Sequence, residues 1–154
     1  NIEIYECTRE YWEMFRKYHY LNTNIHVGAK CYIGKYENNF IVFCAVLHFP
    51  HGIVKNFRRV HRLVVLPDYQ GIGIGNKFLS AIGEIYINNG FRFIIETSNP
   101  ALIHGLQNQK NWICKNEKLQ MRQPIFHQLK HTGLNSFSTG KRFITSWEMI
   151  KREK

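Results

Sequence analysis

The chain has 154 residues, 44% of them hydrophobic and 14% aromatic, enough apolar material to bury one core and too much for a disordered chain. Its formal net charge of +10 favours anionic partners, namely nucleic acid, an acidic membrane or a polyphosphate cofactor, without choosing among them. No apolar run reaches bilayer-spanning length, none of the four cysteines forms a C-x-x-C pair and the eight histidines lack ligand spacing, so neither a membrane span nor a metal site is expected.

The chain opens on Asn1 and not on Met, and is read as one domain over residues 1–154 with no assumption that its ends are those of the protein. Cys7, Cys31, Cys44 and Cys114 are scattered, the pattern of reduced buried thiols in a cytoplasmic protein. Residues 2–6 predict a short strand. Thr8 then offers a helix cap, and Tyr11, Trp12, Phe15 and Tyr18 recur at helical spacing. Residues 30–36 and 40–49 predict a β-hairpin around Glu37-Asn38-Asn39. Residues 57–66 predict another strand, ended by Pro67. From 75 to 89 the residues Phe78, Leu79, Ile82, Ile85 and Tyr86 fit a helix packed on a sheet, with Gly90 as its left-handed cap. A strand over 91–96, a helix from Pro100 to about Gln109 and a closing strand over 142–150 complete the order β-α-β-β-β-α-β-α-β.

Between the fourth strand and the second helix stands Pro67-Asp68-Tyr69-Gln70-Gly71-Ile72-Gly73-Ile74-Gly75. A strand, a glycine loop and a helix start aim free backbone amides at an anion, and glycine lets the backbone approach a phosphate closely. The dinucleotide fingerprint needs G-x-G-x-x-G, but the spacing here is G-x-G-x-G. The Walker loop needs Gly-Lys-Ser/Thr, but Gly75 is followed by Asn76. The pattern that fits is Q-x-x-G-x-G, on Gln70, Gly73 and Gly75.

With the preceding strand "HRLVVLP" and the later "ETSNPALIHGLQNQKNW", this segment resembles the GNAT (GCN5-related N-acetyltransferase) superfamily. The resemblance is firm over about residues 58–112. It implies an α/β (α+β) fold: a mixed, mostly antiparallel sheet of six to seven strands flanked by helices, splayed between its two central strands. It implies acyl-coenzyme A, acetyl-CoA or a close relative, as co-substrate. The backbone of Leu63, Val64 and Val65 is expected to pair with the pantetheine arm. Gln70, Gly71, Gly73, Gly75, Asn76 and Lys77 are expected to hold the pyrophosphate, and Asn99 to reach the pantetheine or thioester end. The helix after Asn99 should lead to a strand that starts on an aromatic residue.

The implied chemistry is acyl transfer to an amine, in which a base frees the nitrogen lone pair and a backbone amide from residue 64 or 65 meets the oxyanion. The family's usual acid is a tyrosine about seven residues after the asparagine; here that count reaches Leu106. His61, Glu96 and His104 are the candidates for proton handling; the segment Tyr18 to His26 ("YHYLNTNIH") is expected to cover the acceptor side, with His19 and Tyr20 to stack on or hydrogen-bond a planar substrate and Tyr20 as a substitute acid. Each has a plain alternative: His61 as a strand-face residue, Glu96 as an ion-pair partner, His104 as a solvated helix residue, Tyr20 in packing or capping. The early "HYL" and late "RFITSWEMI" are similar to phage- and mobile-element GNAT proteins related to the Mom-type enzymes that modify adenine in DNA. That likeness, with Arg58, Arg59, Arg62, Lys151, Arg152 and Lys154 as phosphate contacts, implies a nucleobase acceptor. The alternative is an inactive GNAT-fold module that binds nucleic acid. The oligomeric state is not legible.

Overall fold

The computed structural model describes residues 1–19, 23–50, 52–115, 120–122 and 142–151. Tyr20, Arg152 and Lys154 lie outside the described residues. The described strands are β1 (Glu3–Cys7), β2 (Lys30–Tyr36), β3 (Asn39–His48), β4 (Phe57–Val65), β5 (Arg92–Thr97), β6 (Trp112–Cys114), β7 (Gln120–Arg122) and β8 (Arg142–Met149). Two α-helices join them, α1 (Ile74–Asn88) and α2 (Pro100–Gln107). The sheet runs β1-β2-β3-β4-β5-β8-β6, with β7 paired to β8 beside this path. Its pairs are antiparallel except β4 with β5. This is the mixed, mostly antiparallel sheet that the resemblance implies.

The β2–β3 turn forms where the sequence places it, with Glu37 and Asn38 both at positive φ (45° and 67°), the backbone that a tight hairpin requires. The segment after Thr8 departs from expectation. It folds as two 3-10 turns, Arg9–Met14 and Arg16–Tyr18, and Thr8 makes no side-chain cap. A three-residue repeat stacks Trp12 over Phe15 on one face, and both are fully buried while Tyr11 and Tyr18 stay exposed. The two rings pack on Phe43 of β3, at centroid distances of 5.5 and 5.6 Å.

Helix α1 covers the opposite face of the sheet. Its buried stripe is Phe78, Leu79, Ile82, Gly83 and Tyr86; Ile85, expected in that stripe, is 46% exposed. Gly90 caps the helix end at φ 82°. Helix α2 is two residues shorter than its predicted span. Its start is doubly fixed: Pro100 occupies the first turn, and Asn99 Oδ1 accepts from the amides of Ala101 and Leu102 at 3.0 and 3.2 Å. β6 starts on Trp112, the aromatic strand start that the resemblance implies, while β7 has no counterpart in the predicted order.

Two core layers result. One lies between the sheet and the α-helices, around Val42, Leu79, Ile82, Phe93 and Trp147. The other lies under the 3-10 turns, around Trp12, Phe15, Phe43 and Val64. All four cysteines are free thiols.

Candidate active site

The site starts from a failure of pairing. β4 and β5 run side by side only at Phe57–Arg92, Arg58–Phe93 and Arg59–Ile94. Beyond that, β4 stays with β3 as far as Val65–Val42, and β5 stays with β8 as far as Thr97–Thr145. Thr145 Oγ1 also donates to Thr97 O at 3.1 Å, holding β5 on the far side. The two central strands therefore part, and each leaves one backbone edge free to take an added strand.

A β-bulge marks the fork. Val60 pairs with Val46 and Arg62 with Ala45, so His61 is the extra residue. Leu66 N donates to Ile41 O at 2.9 Å. Strand alternation then turns the amide of Val64 towards β3, and those of Leu63 and Val65 towards the open side.

Above the fork lies the glycine loop. Gly71 and Gly73 sit at φ 82° and 81°, and a Cβ built on either meets no atom within 4 Å. These positions are left-handed and open, so glycine is there for the backbone and not for lack of room. The first internal bond of α1 is Lys77 N to Gly73 O, 3.1 Å. The amides of Ile74, Gly75 and Asn76 precede it and point out of the helix end, where the peptide dipoles concentrate positive charge. Gln70 does not reach outward: its Nε2 donates to Val65 O at 2.8 Å, tying the loop to the end of β4.

The fork and the loop open into one cleft of about 810 Å³. Leu63, Val64, Val65, Gln70, Gly71, Gly73, Gly75, Asn76 and Asn99 all line it, and so do His61, Glu96 and His104. Lys77 stands just outside, exposed on the first turn of α1. Asn76 turns its side chain sideways onto Gly105 of α2, where a Cβ would come within 2.0 Å of its Nδ2. Its Oδ1 is buried without a hydrogen-bond partner. A fastening from Trp112 Nε1 to Ser80 Oγ (3.0 Å) and from Ser80 Oγ to Gln109 Oε1 (2.7 Å) keeps α1 and the end of α2 together.

The proton-handling candidates differ in setting. His61 is half-buried; its Nε2 accepts from His26 N at 3.4 Å. Burial first, then the positive charge of Arg62, pushes its pKa down to about 4, so the imidazole is neutral at pH 7. Glu96 is exposed at the end of β5, with Arg59 3.8 Å away. His104 is exposed on α2, its Nε2 3.2 Å from Asn108 Nδ2. Leu106 is fully buried, so the counted tyrosine position falls on the core side of α2 and not in the cleft.

The remaining wall is formed by Tyr18, His19 and Arg62 of the cleft lining with Thr23 and His26 behind them, so the segment Tyr18 to His26 stands where the resemblance put it, while the place of Arg62 beside it was not foreseen. The bulge that gathers it, opposite Ala45 and Val46, has no local sequence signal.

The family model described as "Acetyltransferase (GNAT) family" matches residues 2–105. The chain belongs to that family. Solved GNAT-fold acetyltransferases superpose on nearly its whole length. A Bacillus subtilis acetyltransferase solved in complex with CoA is 14% identical, with 99% of each chain covered and a TM-score of 0.64. A GNAT acetyltransferase from Elizabethkingia anophelis with acetyl-CoA bound is 15% identical, with 99% of each covered and a TM-score of 0.59. The ribosomal-protein-S18-alanine N-acetyltransferase of Escherichia coli is 12% identical, covering 97% of this chain and 93% of that one, at a TM-score of 0.63. At such identities the likeness shows the fold alone. No curated protein matches the chain.

Proposed function

We propose that this GNAT chain transfers an acetyl group, or a related acyl group, from acyl-CoA to an amine. The observation that carries the reading is one cleft in which a parted strand pair meets the free amides of a glycine-capped helix. The open edge of β4 presents the carbonyl of Leu63 and the amide of Val65 to the pantetheine amides, as an added strand would, while the Val65 carbonyl is held by Gln70. The amides of Ile74, Gly75 and Asn76 suit the pyrophosphate, with Lys77 adding charge from outside. Asn76 Oδ1, an acceptor, has nothing to offer a phosphate oxygen but can take an N–H or O–H from the pantetheine arm. Asn99 contributes the start of α2 at the other wall.

In the transfer, the N–C bond forms as the C–S bond breaks. An ammonium acceptor gives up two protons, one of which ends on the departing thiolate. Neutral His61 and the Glu96 carboxylate are placed to take the first. His104, on the rim, is placed to supply the second; a thiol pKa of roughly 8.5 makes that help optional. Of the two amides expected for the oxyanion, that of Val64 faces β3; the open-side amide nearest the His61 bulge is that of Leu63, which leaves the Val65 amide to the pantetheine arm.

A nucleobase in DNA is the acceptor that the net charge of +10 supports, with exposed Tyr18 as a stacking surface. Two of the candidate phosphate contacts are engaged within the fold: Arg58 lies over Phe91 at 4.0 Å and Arg59 over Phe49 at 4.5 Å.

Calorimetric titration with CoA, together with thermal shift against CoA and a short DNA duplex, tests this reading. Saturable CoA binding is expected. Stabilisation by DNA with none by CoA overturns it in favour of an inactive nucleic-acid-binding module.

A further inference from the structure

Two of the four thiols meet across the sheet. In the antiparallel register of β1 with β2, Cys7 stands directly opposite Cys31. Directly opposed residues of such a pair share one face, with Cα atoms about 4.5–5.5 Å apart, inside the roughly 4.4–6.8 Å that a disulfide spans. Both side chains belong to the layer under the 3-10 turns, with Trp12, Phe15 and Phe43. Cys31 is buried, its Sγ donating weakly to Ala29 O at 3.9 Å, and Cys7 is half-buried. The other two thiols are placed elsewhere. Cys44 lies in the opposite layer, towards the α-helices, and Cys114 on β6 at the far edge of the sheet.

The place of the pair in the chain gives it consequence. The chain leaves β1 after Cys7 and rejoins the sheet in β2, so the pair stands at the root of segment 8–30. That segment supplies Tyr18, His19, Thr23 and His26 to one wall of the cleft. Both cysteines also line an open hollow of about 390 Å³, together with Glu6, Arg9, Gly28 and Lys30. Among the described residues, this hollow shares no lining residue with the cleft. A small reagent thus has its own way to the sulfurs.

We propose that Cys7 and Cys31 are a modification site of their own: a small organic disulfide entering the hollow closes them into a cross-strand bond that staples segment 8–30 at its root. Nothing in this depends on the acyl-transfer reading. The thiolate of Cys7, the more exposed of the two, attacks the reagent RSSR and releases one RS⁻. Cys31 then displaces the second RS⁻ as the S–S bond within the protein forms. Two electrons pass from the cysteines to the reagent, and the two protons end on the departing thiols. Burial raises Cys7 to about 12, helped by Cys31 and Glu6, and Cys31 to about 11, where Arg9 opposes it. Exchange is therefore slow at neutral pH and faster in alkali, so the pair answers a sustained oxidising poise and not a brief pulse.

The test incubates the chain with excess glutathione disulfide in mild alkali, quenches by alkylation and digests with trypsin without reduction. The expected product is the peptide ending at Arg9 joined to Cys31–Lys35, from an intact chain lighter by two hydrogens. Closing a loop of about 25 residues should raise the melting temperature by about 5 °C or more, and dithiothreitol should abolish the rise. Cys7→Ala is expected to remove both the joined peptide and the rise, and Cys114→Ala neither. Mapping on the unaltered chain decides the matter even where a variant melts early. A mixed disulfide with glutathione left at Cys7, a link through Cys44 or Cys114, or no reaction under conditions that oxidise the unfolded chain overturns the proposal. A bond between Cys7 and Cys31 that leaves melting unchanged or lowers it overturns the staple.

Discussion

Gly73→Asp tests the phosphate cradle at its most exposed point. Gly73 caps α1 at φ 81°, and a Cβ there has no heavy atom within 4 Å. The cost to the fold is therefore the left-handed backbone alone, about 1–2 kcal/mol for a residue with a Cβ and less for aspartate. An aspartate at a helix N-cap can recover part of that by accepting from the next amides and by meeting the positive helix end. Net stability should shift by no more than about 1 kcal/mol. Binding is affected quite differently. Two like charges about 4 Å apart at an effective dielectric near 20 repel by about 4 kcal/mol. Gly73 is exposed, so half that value is the sounder figure, and about 2 kcal/mol is roughly a thirtyfold loss of CoA affinity.

The assay is calorimetric titration of CoA into both proteins, with melting curves alongside. Gly73→Ala is the control, since it carries the backbone cost without the charge. Melting near that of the unaltered protein with a large affinity loss in the aspartate variant alone is the expected pattern. Raising the salt should recover part of that loss. Unchanged CoA affinity in a folded Gly73→Asp protein would refute the cradle. Equal losses in the alanine and aspartate variants would place the effect in the backbone and refute the electrostatic account.

Three further outcomes follow from the described contacts. Arg92 holds Glu148 through two bonds of 2.6 and 2.8 Å, with Lys115 at 3.3 Å, and these partners, Arg92 foremost, keep the carboxyl below its usual pKa despite burial. Glu148→Gln should cost about 2 kcal/mol in urea unfolding, discounted because Arg92 is partly exposed. Since the folded pKa is depressed, this contribution is present above the ordinary glutamate range and is lost as pH falls through the folded value; the Gln variant should lack that acid-side loss. His61 should titrate near pH 4 by imidazole NMR, because its folded pKa lies below the unfolded one. It therefore costs no stability above about pH 6.5 and progressively more from there down to pH 4, and an unperturbed titration would remove the basis for a neutral, buried-field imidazole. In the core, Tyr32 Oη and Tyr86 Oη are 2.8 Å apart. Tyr32→Phe leaves Tyr86 unpaired and should cost about 1–2 kcal/mol, whereas the double Phe variant should lose less than the sum of the single changes; additive losses would show that the hydroxyls do not act as a pair.

The donor half of the cleft was legible in the sequence because it is made of backbone. Gly71 and Gly73 are constrained by φ, Gly75 by the Val65 side chain, which a Cβ there would approach to 3.3 Å, and the helix behind them by its apolar stripe. Such features leave marks at fixed local spacing. Where a residue's role depends on what faces it, local reading faltered. Ile85 and Tyr86 look alike as apolar helix residues, yet only Tyr86 meets Tyr32 and Phe93. Trp12 and Phe15 were rightly placed on one face, but a 3-10 repeat replaced the α-helical one. β7, three residues long, is too short to show any period.

The half of the cleft proposed for the acceptor is made of side chains brought from three distant places: the 3-10 end and its following segment, the bulge in β4 and the end of β5. No single window of sequence contains it. The bulge is the informative case, because "RVHRL" reads as plain alternation and predicts opposite faces for His61 and Arg62. Only the register against β3, with Val60 on Val46 and Arg62 on Ala45, shows that one residue is extra. That insertion does two things together. It stands at the end of the β4–β5 pairing, from which the strands part, and it puts an imidazole and a guanidinium on one rim. A local backbone irregularity thereby sets both where the two strands part and which side chains stand together at the rim, and only the register against β3 records it.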